Sequence, residues 1–236
     1  MDRSLLVLLG TAATIGFVHT VLGPDHYLPF IVLSKARGWA PRKTVLVTAL
    51  CGVGHVLSSV ILGLIGIAVG VALLKLEIIE SVRGDIAAWL LMAFGFAYFV
   101  WGVHRAIRNR SHEHSHAHEG GEVHSHVHGH TGEHSHVHDA KSRSVTPWIL
   151  FLIFIFGPCE PLIPILMFPA ARGSISHVAL VAAVFGLVTI GTMLTVVMTS
   201  YYGLARVRVK SMERYGHALA GLALFASGGA ITFLGL

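Results

Sequence analysis

Charge is scarce in this chain: Asp, Glu, Lys and Arg make up 12 % of its 236 residues, about half the share usual in soluble domains. With 54 % hydrophobic residues and a mean hydropathy of +0.71, that scarcity excludes a soluble globular protein. Cysteine is scarcer. Cys51 and Cys159 are the two, both in apolar segments with no Cys-x-x-Cys pair, which excludes a disulfide scaffold. Little in the first apolar run suggests cleavage: it reads as too long for a cleavable signal peptide and has no evident small-residue cleavage site. The net charge of +5 does not make a nucleic-acid binder, because the basic residues stand at the ends of apolar runs and read as topology signals.

What is present is apolar length. Six stretches, at roughly 4–33, 45–73, 86–104, 147–169, 177–203 and 216–235, compare with the about 20 residues needed to cross a bilayer, and the first two and the fifth are longer than that minimum. Lys35, Arg37, Arg42 and Lys43 follow the first. Arg105, Arg108, Arg110, Lys141 and Arg143 flank the third connection, and Arg206, Arg208, Lys210 and Arg214 join the fifth stretch to the sixth. This one-sided basic charge places both termini outside and the first, third and fifth connections in the cytoplasm.

The two halves repeat. At an offset of 134, Gly23-Pro24 aligns with Gly157-Pro158 and Leu28 with Leu162; one residue later, Pro29 aligns with Pro164 and Arg37-Gly38 with Arg172-Gly173. Three spans per half is an odd number, so duplicated halves insert in opposite orientations and frame a site near the midplane. The sequence therefore predicts an all-α membrane protein of six transmembrane helices in two inverted three-helix repeats, residues 1–106 and 146–236, with a proline-broken first helix in each half.

Residues 107–145, between the halves, form a cytoplasmic loop of different composition, expected to be disordered. It carries His112, His114, His116, His118, His124, His126, His128, His130, His134, His136 and His138, and His-x-His-x-His triplets begin at positions 114, 124 and 134. Alternating imidazoles at a strict period of ten point to transition-metal binding.

Ionisable side chains at bilayer depth are costly, about 2.5–3.5 kcal/mol each, and mark function. The candidates are His19, Asp25 and His26 in the first stretch, His55 in the second, and Cys159 and Glu160 in the fourth. Gly23, Pro24, Gly157, Pro158 and Pro161 break the helices beside them and free backbone carbonyls. Asp25 and Glu160 would balance a divalent cation, and three imidazoles favour a borderline metal over magnesium or calcium. Bland readings stand beside these: a packed His55, a helix-capping Asp25-His26, a proton-binding Glu160, and a Cys159 that is a small packed hydrophobe.

The string His19 to Pro29, HTVLGPDHYLP, resembles the signature of nickel/cobalt transporters, and the Gly54-His55 pair and histidine-rich loop resemble their efflux relatives. That resemblance implies metal selection by His19, Asp25 and His26. Gly157 to Pro164 also looks like the proline-flanked cysteine kinks of thiol-redox membrane proteins, which need a reactive cysteine in each half; here Asp25 stands where the partner of Cys159 belongs.

The expectation is thus a multi-pass transporter of the cytoplasmic membrane, not an enzyme, that moves nickel, cobalt or zinc as substrate and holds no cofactor. Its partners are the metal ion and the lipid bilayer, not nucleic acid, and homo-oligomers are compatible with it. The competing readings are a zinc or other divalent metal exporter, a thiol–disulfide electron conductor using Cys159, and a membrane-anchored metal store or sensor.

Overall fold

A computed structural model describes residues 3–71, 73–108, 112–117, 123–128, 145–157, 159–205 and 210–234. α1 (Arg3–Leu22) stops where proline removes a donor. The Gly23 N–H still donates to the His19 carbonyl at 3.0 Å, then Pro24–His26 form a single 3-10 turn before α2 (Leu28–Ala36) resumes. α2 closes at Arg37-Gly38. Gly38 takes a left-handed φ of 59°, and the Trp39 N–H returns to the Ser34 carbonyl at 2.9 Å, the six-to-one bond that satisfies a helix end.

α3 (Pro41–Val69) and α4 (Leu73–Arg108) follow. α4 begins well before residue 86, where the sequence places the third span. Lys75, Glu77, Glu80, Arg83 and Asp85 interrupt the apolar run without interrupting the helix, because Glu80 and Arg83, three apart, pair side by side.

The histidine tract supplies β1 (His112–Ala117) and β2 (Val123–His128), an antiparallel pair in which His114 stands opposite His126. Alternation of histidine with other residues has the period of a strand.

The fourth apolar stretch is two short helices, α5 (Thr146–Phe156) and α6 (Leu162–Ala171), neither long enough to cross. α6 ends as α2 does: Gly173 has φ 69°, and the Ser174 N–H donates to the Pro169 carbonyl at 3.2 Å. α7 (Ile175–Ala205) and α8 (Lys210–Leu234) complete the chain. Five of the described helices, α1, α3, α4, α7 and α8, are long and apolar enough to span, one fewer than the six stretches of the sequence. Large apolar side chains such as Leu50, Ile65, Trp89, Leu187 and Phe233 point outward, as a lipid-facing surface requires. The protein is a multi-pass membrane protein.

α4 and α8 pack on one another most extensively. Glycines make this possible: a Cβ at Gly95 or Gly102 would fall on the backbone of α8, and one at Gly221 on the backbone of Phe99. α1 lies against α7, while α3 meets α5 and α6. One buried cluster joins Phe30, Leu33, Cys51, Phe154 and Met193; a second joins Val56, Cys159, Leu162, Leu166 and Phe185.

Candidate functional site

The break after α1 delivers two side chains to the interior. His26 is 2 % exposed, and its Nδ1 lies 3.2 Å from the Gly23 carbonyl and 3.1 Å from Asp25 Oδ1. Both partners are acceptors, so Nδ1 carries the proton and Nε2 turns inward. Gly23 is required here, since a Cβ would sit 2.8 Å from Asp25 Oδ1 and closer still to the His26 ring.

From α3 comes His55, also 2 % exposed, with Nδ1 3.4 Å from the Phe154 carbonyl. That carbonyl is within the last turn of α5 and also accepts the Gly157 N–H at 3.1 Å, its second lone pair remaining for His55. Holding Nδ1–H there again leaves Nε2 free to accept. His26 Nε2 and His55 Nε2 face each other at 3.2 Å. His19, one α1 turn before the break, completes the cluster: its ring centroid is 4.7 Å from that of His26, and its Nε2 is buried with no hydrogen-bond partner. One nitrogen from each imidazole lies within 4.8 Å of the others.

The second break brings up Cys159. Its Sγ is 3.0 Å from His55 Nε2, and the side chain is fully buried. Gly157 allows this approach, because a Cβ there would lie 2.9 Å from His55 Nδ1. A chain of polar contacts pins the backbone: the Cys159 N–H donates to Ser59 Oγ at 3.2 Å, and the Ser59 hydroxyl donates to Glu80 Oε2 at 3.2 Å. Glu80 is paired with Arg83, whose Nη2 also donates to Ser58 Oγ at 2.9 Å and to the Ile155 carbonyl at 2.7 Å.

Glu80 and Arg83 are the functional-site residues that the sequence analysis misses. The signal was available: a carboxylate and a guanidinium one turn apart beside an apolar run. They were assigned to a connection because the third span was begun at residue 86.

The structure thus gathers His19, Asp25, His26, His55 and Cys159. Glu160 stands outside the imidazole cluster but lines the same cavity. It is exposed at the rim of a cavity of about 760 Å³ that His19, Asp25, His26 and His55 also line, with Glu77 beside it in a neighbouring pocket. In the turn between α5 and α6, adjacent residues point oppositely, so Cys159 faces in and Glu160 out. Pro24 opens the 3-10 turn and Pro161 stands at the start of α6, both at breaks as the sequence predicts. Pro158, His118, His130, His134, His136 and His138 lie outside the described residues. Cys51 belongs to the other apolar cluster and Cys159 to its own; both are free thiols.

Neither the curated proteins nor the solved structures include one that matches this chain significantly. A family model does match, that of the cytochrome c biogenesis protein transmembrane region, over residues 28–230. This overturns the resemblance to nickel/cobalt transporters and, with it, the nickel or cobalt transport expected from it. The string that carried that resemblance, His19 to Pro29, lies almost entirely before the matched region. The match spans α2 to most of α8, including the second helix break, and covers most of the chain, so the chain belongs to the cytochrome c biogenesis transmembrane-region family.

Proposed function

We propose that the protein is an electron conductor that passes reducing equivalents through the membrane by thiol–disulfide exchange at Cys159. The observation that carries this is the 3.0 Å contact between Cys159 Sγ and His55 Nε2 inside a helix break, in a chain of this family. The thiolate is the reacting form. His55, its Nδ1–H engaged by the Phe154 carbonyl, offers Nε2 to accept the thiol proton.

The exchange balances as follows. Cys159 sulfur attacks a disulfide of a protein partner, forming a mixed disulfide and releasing one partner thiolate, which takes the proton from His55. A dithiol partner then attacks the Cys159 sulfur and releases the second acceptor thiolate, which takes a proton from the attacking thiol. The donor's other thiol attacks the donor-side sulfur of the new mixed disulfide, so the donor becomes a disulfide and Cys159 leaves as thiolate and is reprotonated. Two electrons and two protons pass from dithiol to disulfide in a full cycle. Cys51 sits in a separate apolar cluster, so the second thiol comes from a partner. The protein's partners are therefore redox proteins on each face, and it acts as a conductor between them.

The repeat supports this reading. Each half opens with a helix interrupted at a glycine-proline pair, and the segment after the break is a short helix that closes on Arg-Gly with left-handed glycine, at Gly38 and Gly173. Packing of α1 on α7 is mirrored by packing of α3 on α5 and α6, as two inverted three-helix units would give. The basic connections favour the inner membrane, with both termini outside and the histidine tract in the cytoplasm.

The test is to trap the mixed disulfide. Parent protein and Cys159→Ser are assayed in membrane vesicles for reduction of a disulfide probe outside by a dithiol inside. The variant is expected to lose transmembrane reduction and the trapped adduct. Transport of electrons at parental rate by Cys159→Ser would remove the proposal.

A further inference from the structure

We propose that His19, His26 and His55 bind one d10 transition-metal ion, zinc(II) or copper(I), and that Cys159 joins them as the fourth ligand. The ion is a resident of the site, not cargo, and its binding masks the thiol. The masking half rests on the thiol-exchange reading; the binding half does not.

The argument begins with protons. His26 Nδ1 faces the Gly23 carbonyl and the Asp25 carboxylate, and His55 Nδ1 faces the Phe154 carbonyl. Those acceptors fix both Nδ1 atoms as donors and leave both Nε2 atoms with lone pairs, 3.2 Å apart and buried. Two facing lone pairs repel, so an electropositive occupant belongs between them. A proton can bridge two nitrogens. It cannot serve a third, and His19 Nε2 stands in the same cluster, buried and without a partner. A metal ion takes all three.

The spacing agrees. Zinc–nitrogen bonds of about 2.0–2.1 Å at a tetrahedral centre put ligand nitrogens about 3.3 Å apart, against 3.2 Å between His26 and His55. The three imidazole nitrogens lie within 4.8 Å of one another, so His19 closes in on binding, and Cys159 Sγ, 3.0 Å from His55 Nε2, is the thiol beside them. Second-shell acceptors on Nδ1 are what orients metal-bound imidazoles, and two of the three have them. Charge agrees as well: a divalent ion is neutralised by the Cys159 thiolate and the Asp25 carboxylate behind His26, and copper(I) by the thiolate alone. A balanced site is what a low-dielectric interior accepts. Thiolate with imidazoles selects zinc or copper(I) over magnesium or calcium. Once bound, the ion occupies both the sulfur and the nitrogen that would take its proton, so exchange stops until the ion leaves.

The experiment uses the full chain in detergent, with Cys51→Ala to leave one thiol and the eleven tract histidines from His112 to His138 changed to alanine. Chelated protein is titrated anaerobically with zinc(II) or copper(I), and the bound ion is read by X-ray absorption. One ion per chain with a shell of three imidazoles is expected, and a sulfur scatterer with it; the two arms distinguish the metal. Loaded protein is expected to react with a membrane-permeant maleimide at least tenfold more slowly, with recovery on chelation. Absence of a stoichiometric ion, or a shell without imidazole, overturns the site whatever the vesicle assay of Cys159→Ser shows. An imidazole-bound ion without change in maleimide rate overturns the masking alone.

Discussion

Cys159 and His55 are 104 positions apart in the chain, yet sulfur and ring nitrogen meet at 3.0 Å where the second helix break crosses α3. Gly157 is the spacer for that meeting. Gly157→Ala puts a methyl group 2.9 Å from His55 Nδ1 and pushes the imidazole off the Phe154 carbonyl. Misplacement by about 1 Å costs on the order of a hundredfold in rate. Mixed-disulfide formation is expected to slow by about ten- to a hundredfold, measured by gel shift, while helix content by circular dichroism stays at the parental level.

The Glu80–Arg83 pair separates structure from chemistry. Arg83→Ala leaves the fully buried Glu80 carboxylate without its counter-charge and frees the Ile155 carbonyl, a loss of about 3–5 kcal/mol. Replacing both, as Glu80→Leu with Arg83→Met, removes both charges and is expected to cost clearly less. Thermal midpoints in detergent check the order, and a double variant less stable than the single one contradicts it.

Cys51 is expected to be dispensable for exchange. It packs with Phe30, Phe154 and Met193, and Cys51→Ala trims one small buried group at about 1 kcal/mol. Transmembrane reduction in the vesicle assay should remain within twofold of the parent; loss comparable to Cys159→Ser would make Cys51 the second thiol.

Deleting residues 112–138 removes the whole histidine tract but no residue of the site. Electron flux is expected to persist, while total zinc bound per chain, measured by plasma mass spectrometry, falls to the single ion of the membrane site.

Much of the site is legible in the sequence because the membrane makes polarity conspicuous. His19, Asp25, His26 and His55 stand out against apolar neighbours, and the structure gathers all four. The Arg-Gly ends of the two half-helices were equally readable, since glycine at a left-handed helix terminus is a local property. Glu160 lines the same cavity but at its rim, because adjacent residues in a tight turn do not both face one interior, and sequence spacing does not say which does. Glu80 and Arg83 were lost because hydropathy registers charges singly, whereas a pair one turn apart behaves as a neutral unit. The family was misjudged because a short polar string weighed more than the layout of the remaining chain, and the match over residues 28–230 follows that layout.

The abutting backbones of α4 and α8 have a mechanical consequence. At Gly95, Gly102 and Gly221 no side chain stands between the helices, so no rotamer can change to let one slide past the other. The pair is the most closely packed part of the fold. On the thiol-exchange proposal a partner sulfur would reach buried Cys159 through displacement of the half-helices around the two breaks, and a crosslink that locks them is expected to silence exchange without touching a single reactive atom.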